Sequence, residues 1–354
     1  MRVVAIVVLW VGGWMCLLAQ ERPTTDTAIV DPDGTTRVTR VVPVPDTIST
    51  EARKYVSRPY SDHEPPVTVA QNRANASAYQ EQLIAEMQDM YPTKVTNDRI
   101  AGVPVRIITP AVLAPEKQDR VLINLHGGGF QADWGSVCET IPIAGLTHTK
   151  VVAILYSLSP DSKFPVAVDE AVAVYRELLK THKPQQMVIY GTSAGAFLTA
   201  EVAMKLKQLG LPEPAALGVF SGAGDVGDLG DSFYIFGLHG LSGSMDTSGN
   251  TSRDYAGNAN SSDSVLNPIR GDLKGMPPTL FLTSTRDLLL SGTVLLHRAF
   301  LHASVAAELV VFDGLPHAFW NEYRMPESRE ADQMMADFFE EHLGGSKAEV
   351  RSAK

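Results

Sequence analysis

The sequence predicts an α/β fold, a mostly parallel central sheet with helices on both faces. Three observations predict it. From Arg120 onward, short apolar strand-like runs alternate with longer segments whose apolar residues recur at helical spacings. The short runs are mostly apolar, as strands buried on both faces are. Two glycine-rich motifs follow two of these runs directly, at the strand ends where α/β sheets place their sites. With 44% hydrophobic and 20% charged residues in 354, the chain can bury one large core. No internal repeat or low-complexity tract interrupts it.

The first element is a targeting segment. Met1-Arg2 supplies a positive start, Val3 to Ala19 is apolar, and Ala19 is a small residue suited to cleavage before Gln20-Glu21. Residues 1–19 are expected to be a cleaved secretory signal, which makes the protein secreted or periplasmic. An uncleaved segment would instead anchor it, and is the one membrane contact expected. Cleavage leaves Cys138 as the remaining cysteine, so no internal disulfide is expected. Residues 20–74, rich in Pro, Thr, Asp and Val, read as an extended lead-in. The catalytic domain is expected over 75–347, with 348–354 as a tail.

Ala78 to Met90 carries Leu83, Ile84 and Met87 at helical spacing and reads as an amphipathic helix, the first piece of a cap near 75–95. Arg120 to Leu125 reads as a strand and leads into His126-Gly127-Gly128-Gly129-Phe130. Gln186 to Tyr190 is the next informative strand, and leads into Gly191-Thr192-Ser193-Ala194-Gly195. The helix after it runs from Ala194 to Leu209, with Phe197, Leu198, Val202 and Leu206 in register and Gly210 closing it. Ala216 to Phe220 is a further apolar run. Gly222 to Asp263 then breaks the alternation. It is crowded with Gly, Ser, Asp and Asn around Phe233, Tyr234 and Phe236, and reads as a second cap piece and pocket wall over 222–263. Thr279 to Ser284 and Ala307 to Phe312 read as the last strands, with a helical pattern from Leu288 to Ala303 between them.

The chemistry lies in the two glycine motifs. Strand, sharp turn, helix is the setting in which G-x-S-x-G holds a serine strained and exposed, here Ser193. The N–H of Ala194, at a helix N-terminus, is placed to bind developing negative charge. Three consecutive glycines let the other loop approach and aim N–H donors from Gly127, Gly128 and Gly129 at the same charge. His126 precedes these glycines and reads as a brace for the loop. A serine nucleophile needs a base and an orienting carboxylate. Asp287 follows the Thr279–Ser284 run, and His317 follows the Ala307–Phe312 run. Their competitors are weaker. His297 and His302 fall inside a helical pattern, His239 has no preceding strand, and Asp313 is too near His317 to orient it.

These residues resemble the hormone-sensitive-lipase-like, or family IV, bacterial carboxylesterases of the α/β-hydrolase superfamily. The resemblance covers about residues 75 to 343. It rests on His126 to Phe130, on Tyr156-Ser157-Leu158-Ser159-Pro160-Asp161 with Phe164-Pro165, on Gly191 to Gly195, on Asn267-Pro268, and on Asp287 and His317. It implies an α/β-hydrolase fold, a Ser193–His317–Asp287 triad, an oxyanion hole from glycines 127–129 with Ala194, and a cap. Thr192 stands where many members carry Asp, as in one branch of the family. Ser157 and Asp161 replace a common Arg and Glu, and Ser284-Thr285-Arg286-Asp287 lacks the usual Asp-Pro.

The expected function is hydrolysis of small, short-chain carboxylic esters through an acyl-enzyme. The alternatives are a lactone hydrolase or sugar-ester deacetylase on the same triad, and, more remotely, a non-catalytic binding module. No metal or organic cofactor is expected. The net charge of −10 and the lack of a basic cluster disfavour nucleic acid. The expected partner is a small-molecule ester, and a homodimer is left open.

Overall fold

The computed structural model describes residues 26–58, 67–237 and 250–343. The signal segment 1–19, His239, the tail 348–354 and part of the second cap piece lie outside the described residues. The chain divides into two units, Met1–Val44 and Pro45–Lys354. In the first, strands β1 (Thr27–Val30) and β2 (Thr36–Thr39) form an antiparallel hairpin. Gly34, at φ +89°, turns it, and Arg37 pairs with Asp31 at 2.9 Å. Every residue of both strands is exposed. Strands without a buried face lack the period-2 apolar signal, so the extended lead-in expected here is corrected to a hairpin.

The second unit opens with two helices, a further correction to the lead-in. Helix α1 spans Thr50–Val56, capped by the Ser49 hydroxyl on the Ala52 N–H. Helix α2 spans Val69–Met90, starting nine residues before the expected Ala78. Thr68 and Gln71 form a capping box that starts it. Its first turns bury little besides Ala76, so they carry no apolar period to read.

The remaining strands are β3 (Thr93–Ile100), β4 (Val103–Pro110), β5 (Val121–Leu125), β6 (Lys150–Ile154), β7 (Met187–Thr192), β8 (Ala216–Phe220), β9 (Thr279–Arg286) and β10 (Ala307–Pro316). They form one sheet in the order β10-β9-β8-β7-β5-β6-β4-β3. β4 pairs antiparallel with both β3 and β6, and the other pairs are parallel. Residues of one strand alternate between two cores. Val121, Ile123 and Leu125 of β5 enter one, and Leu122 enters the other.

The first core is covered by α4 (Val166–Leu178), α5 (Ala194–Gln208) and α8 (Leu290–His302), through Tyr175, Phe197, Leu198, Leu296 and Phe300. The second is covered by α3 (Ile141–Thr147), α9 (Pro326–His342) and the C-terminal half of α2, through Ile141, Phe339, Leu83 and Met87. Each buried Leu or Phe contributes about 1.5–3 kcal/mol relative to exposure. Residues 222–263 contain α6 (Asp231–Phe236) and α7 (Asn250–Ala256). β9 and β10 run further than the apolar pattern suggests. After an irregularity between Phe312 and Pro316, pairing resumes between Pro316 and Arg286. Asp287 and His317 are thus the first residues past two neighbouring strand ends.

Candidate active site

Ser193 sits between β7 and α5 at φ 57° and ψ −122°. Such a conformation in a non-glycine residue costs on the order of 1–3 kcal/mol and persists only where its surroundings enforce it. Here they do. The Ser193 N–H donates to Phe220 O at 2.9 Å, tying the turn to the end of β8. A Cβ on Gly195 would lie 1.7 Å from Leu125 O, so only glycine lets α5 start against β5. Ala194 is the first residue of α5, and its N–H has no carbonyl within the helix to pair with.

The glycine loop stands beside this turn. A Cβ on Gly127 would be 3.0 Å from Thr192 O and 3.5 Å from Ser193 Cβ. Gly128 has φ +128°, and a Cβ there would meet Ala132 O at 1.9 Å. The expected donors narrow by one. The Gly127 N–H donates to Glu139 Oε1 at 2.9 Å and is not available to a substrate. Among the described residues no acceptor takes the N–H of Gly128 or Gly129. His126 is buried. Its Nδ1 donates to Gly127 O at 2.9 Å, and its ring stacks on Tyr156 at 4.3 Å. The Tyr156 hydroxyl returns a bond to His126 O at 2.7 Å. The histidine does brace the loop.

His317 Nδ1 lies 2.7 Å from Asp287 Oδ1. Asp287 is fully buried and receives further bonds from Thr283 Oγ1 at 2.7 Å, from the Leu289 N–H at 2.8 Å, and from Ser221 Oγ. Burial alone would push its carboxyl up. The neighbouring His317 and these donors outweigh it and hold the carboxyl below the usual range. His317 Nε2 is buried with no hydrogen-bond partner among the described residues, so no bond joins it to Ser193 Oγ. In unliganded sites such contacts are often long and tighten with substrate. The structure thus unites Asp287 with His317, and Ser193 with the glycine loop. In sheet order β8 lies between their strands: Phe220 O at its end accepts the Ser193 N–H, and Ser221 just past it donates to Asp287.

The competing residues are engaged elsewhere. Asp313 accepts from Thr47 at 2.6 Å and Thr285 at 3.1 Å. His297 Nε2 reaches Ala307 O at 3.4 Å, and His302 is exposed. The residues that depart from the common family pattern are bonded. Asp161 pairs with Arg73 at 2.6 Å, and Ser157 Oγ donates to Glu170 at 2.7 Å. The Trp320 indole N–H donates to Thr192 Oγ1 at 3.2 Å. Ser221, Thr283, Glu139 and Trp320 were not singled out in the sequence. For Ser221 a signal existed, a polar residue directly after the apolar run Ala216–Phe220. Chemically, the site offers a strained serine, N–H donors beside it, and a carboxylate–imidazole pair with one ring nitrogen unbonded.

Comparison with known proteins places the fold in a family. A family profile described as the alpha/beta hydrolase fold matches residues 122–321. The crystal structure of an esterase, E25, is 30% identical with a TM-score of 0.77, over 86% of this chain and 98% of that one. An esterase from the bacterial hormone-sensitive lipase family is 26% identical with a TM-score of 0.72, over 80% of this chain and 94% of that one. An acetyl-hydrolase of Streptomyces hygroscopicus is 29% identical over 240 residues, 65% of this chain and 79% of that protein.

Proposed function

The chain belongs to the α/β-hydrolase fold family, among its hormone-sensitive-lipase-like esterases, and is a carboxylic-ester hydrolase; from that premise we propose that it cleaves small, short-chain esters through a Ser193–His317–Asp287 triad. Ser193 Oγ attacks the ester carbonyl as His317 Nε2 takes its proton. Asp287 holds the imidazole in the tautomer with a proton on Nδ1 and stabilises the cation that forms. The N–H groups of Gly128, Gly129 and Ala194 receive the oxyanion. The alcohol leaves with the proton from His317. Water, deprotonated by the same nitrogen, then hydrolyses the acyl-Ser193 ester and restores the serine.

The observation that carries this reading is the buried His317–Asp287 pair, whose Nε2 has no partner among the described residues, past the same sheet ends as the strained Ser193. The relative named an acetyl-hydrolase supports a small acyl group. Two variants test the assignment with p-nitrophenyl acetate. Ser193→Ala should lower kcat by about 10⁴-fold or more, and His317→Ala nearly as much, with circular dichroism unchanged. A folded Ser193→Ala protein retaining about a tenth of the activity removes Ser193 as nucleophile. A panel of acyl chains and ring lactones then tests the substrate class, with the highest kcat/KM expected on acetyl to butyryl esters.

A further inference from the structure

We propose that Glu139 is a positioning residue, whose carboxylate ties the glycine loop to the nucleophile turn and so sets the spacing of the oxyanion donors. The proposal rests on the oxyanion hole described above. Glu139 lies past the loop, just before α3, and is buried. Its Oε1 accepts the Gly127 N–H at 2.9 Å and its Oε2 accepts Asn124 Nδ2 at 3.0 Å. The Thr192 side chain stands near enough to favour the ionised carboxylate. An indole nitrogen can only donate, so the Trp320 N–H on Thr192 Oγ1 leaves the Thr192 hydroxyl proton free to turn toward Glu139.

One carboxylate thus gathers two donors, from β5 and from the loop, with the Thr192 hydroxyl at the end of β7 beside it. Gly127 directly precedes the donors Gly128 and Gly129, and Thr192 precedes Ser193 and Ala194. The β5–β7 ladder ends at Leu125 opposite Gly191, and Glu139 bridges the segments beyond it. The site is shaped for this group. A Cβ on Gly135 would stand 1.9 Å from Glu139 Oε1. The backbone carbonyl of Glu139 is itself fixed by the Tyr190 hydroxyl at 3.0 Å.

Burial, the largest effect, and the Asp133 charge outweigh the donors, which favour the ionised form, and together leave the carboxyl at about 8. Tyr156, Tyr190 and Cys138, the other titratable groups coupled to it, are themselves pushed up by burial and stay neutral in this range. The brace is therefore completed as Glu139 loses its proton.

Glu139→Gln keeps the shape and one acceptor but removes the charge. At about pH 9, where the parent carboxylate is ionised, it should lower kcat by about 10- to 100-fold with KM changed less than about threefold, because misplaced donors weaken the transition state more than the bound ester. The affinity of a trifluoromethyl ketone, which forms a tetrahedral adduct on the serine, should fall in step with kcat/KM. The parent's kcat should rise between about pH 7 and about 9, and the variant should lack that rise. Asn124→Leu, which removes one donor alone, should show a smaller loss of the same kind if Glu139→Gln does not fold. A folded Glu139→Gln protein with kcat within about twofold of the parent, or with ketone affinity unmoved, overturns the proposal. Failure of the underlying assignment is read separately, as activity retained in Ser193→Ala.

Discussion

At the residue scale, Asp287 shows how a charge is kept in a dry interior. A fully buried carboxylate without partners would take up a proton. Four donors prevent this, and two of them, Ser221 and Thr283, share Oδ2. Ser221 itself stands at φ 49°, a conformation serine seldom adopts, and its N–H is fixed to Leu282 O at 2.8 Å. The strain places a hydroxyl on the side of Asp287 that His317 does not reach. Ser221→Ala should therefore lower kcat by about tenfold or more, since hydrogen bonds to charged groups are worth roughly 1.5–3 kcal/mol and a tenfold rate change about 1.4 kcal/mol. KM should move little. Steady-state kinetics on a short-chain ester checks this, and an unchanged kcat would show that Thr283, Leu289 and His317 hold the carboxylate without Ser221.

At the element scale, legibility follows burial. β5, β7 and β8 are buried throughout, so their sequences are mostly apolar, with Asn124 the polar exception inside β5 and Thr192 at the end of β7. The helix after Ser193 shows its spacing and its closing glycine, Gly210, at φ +62°. Asp287 and His317 were readable because they follow such runs. Ser221, Glu139 and Trp320 were harder, because their roles come from contacts between distant segments. The hairpin and the first turns of α2 bury almost nothing and left no pattern. Helix α9 carries a further buried feature with no periodic signal. Asp332 is 3% exposed, and its Oδ2 has no partner among the described residues. Burial pushes its carboxyl well above the ordinary 3.8. A carboxyl raised on folding contributes its full stability below the unfolded value and loses it as pH rises, because the unfolded chain ionises while the folded one does not. Asp332→Asn, neutral in both states, should raise Tm at pH 7 by about 2 °C or more, and the gain should vanish by about pH 4. A thermal melt series across that range tests it, and an equal gain at both ends would point to packing instead of charge.

At the scale of the whole catalytic unit, both flanking pieces are fastened to the oxyanion loop. From α2, Arg73 donates to Gln131 O and Ser159 O at 2.9 Å each, Asn72 accepts the Trp134 indole N–H at 2.9 Å, and Gln80 donates to Trp134 O at 2.9 Å. From α7, Tyr255 stacks on Phe130 at 3.8 Å, its carbonyl accepts the Phe164 N–H, and its hydroxyl donates to Glu201. Each hydrogen bond contributes roughly 0.5–1.5 kcal/mol and the aromatic pair a similar amount. Swinging either piece outward, as a lid opening onto a lipid surface must, would break several of these together. It would also release Phe130 and Gln131, which follow Gly128 and Gly129, and so loosen the proposed oxyanion hole at the moment it is needed. As the proposed cap, pieces fastened in this way suit dissolved substrate rather than a lipid surface. The rate should saturate with substrate concentration and show no jump where a short-chain triglyceride passes its solubility limit and forms an emulsion. Long-chain triglycerides should be poor substrates at every concentration. Titrating tributyrin across its solubility limit tests the prediction, and a sharp rise beyond the limit, with long acyl chains preferred, would make the enzyme a lipase and require these contacts to open.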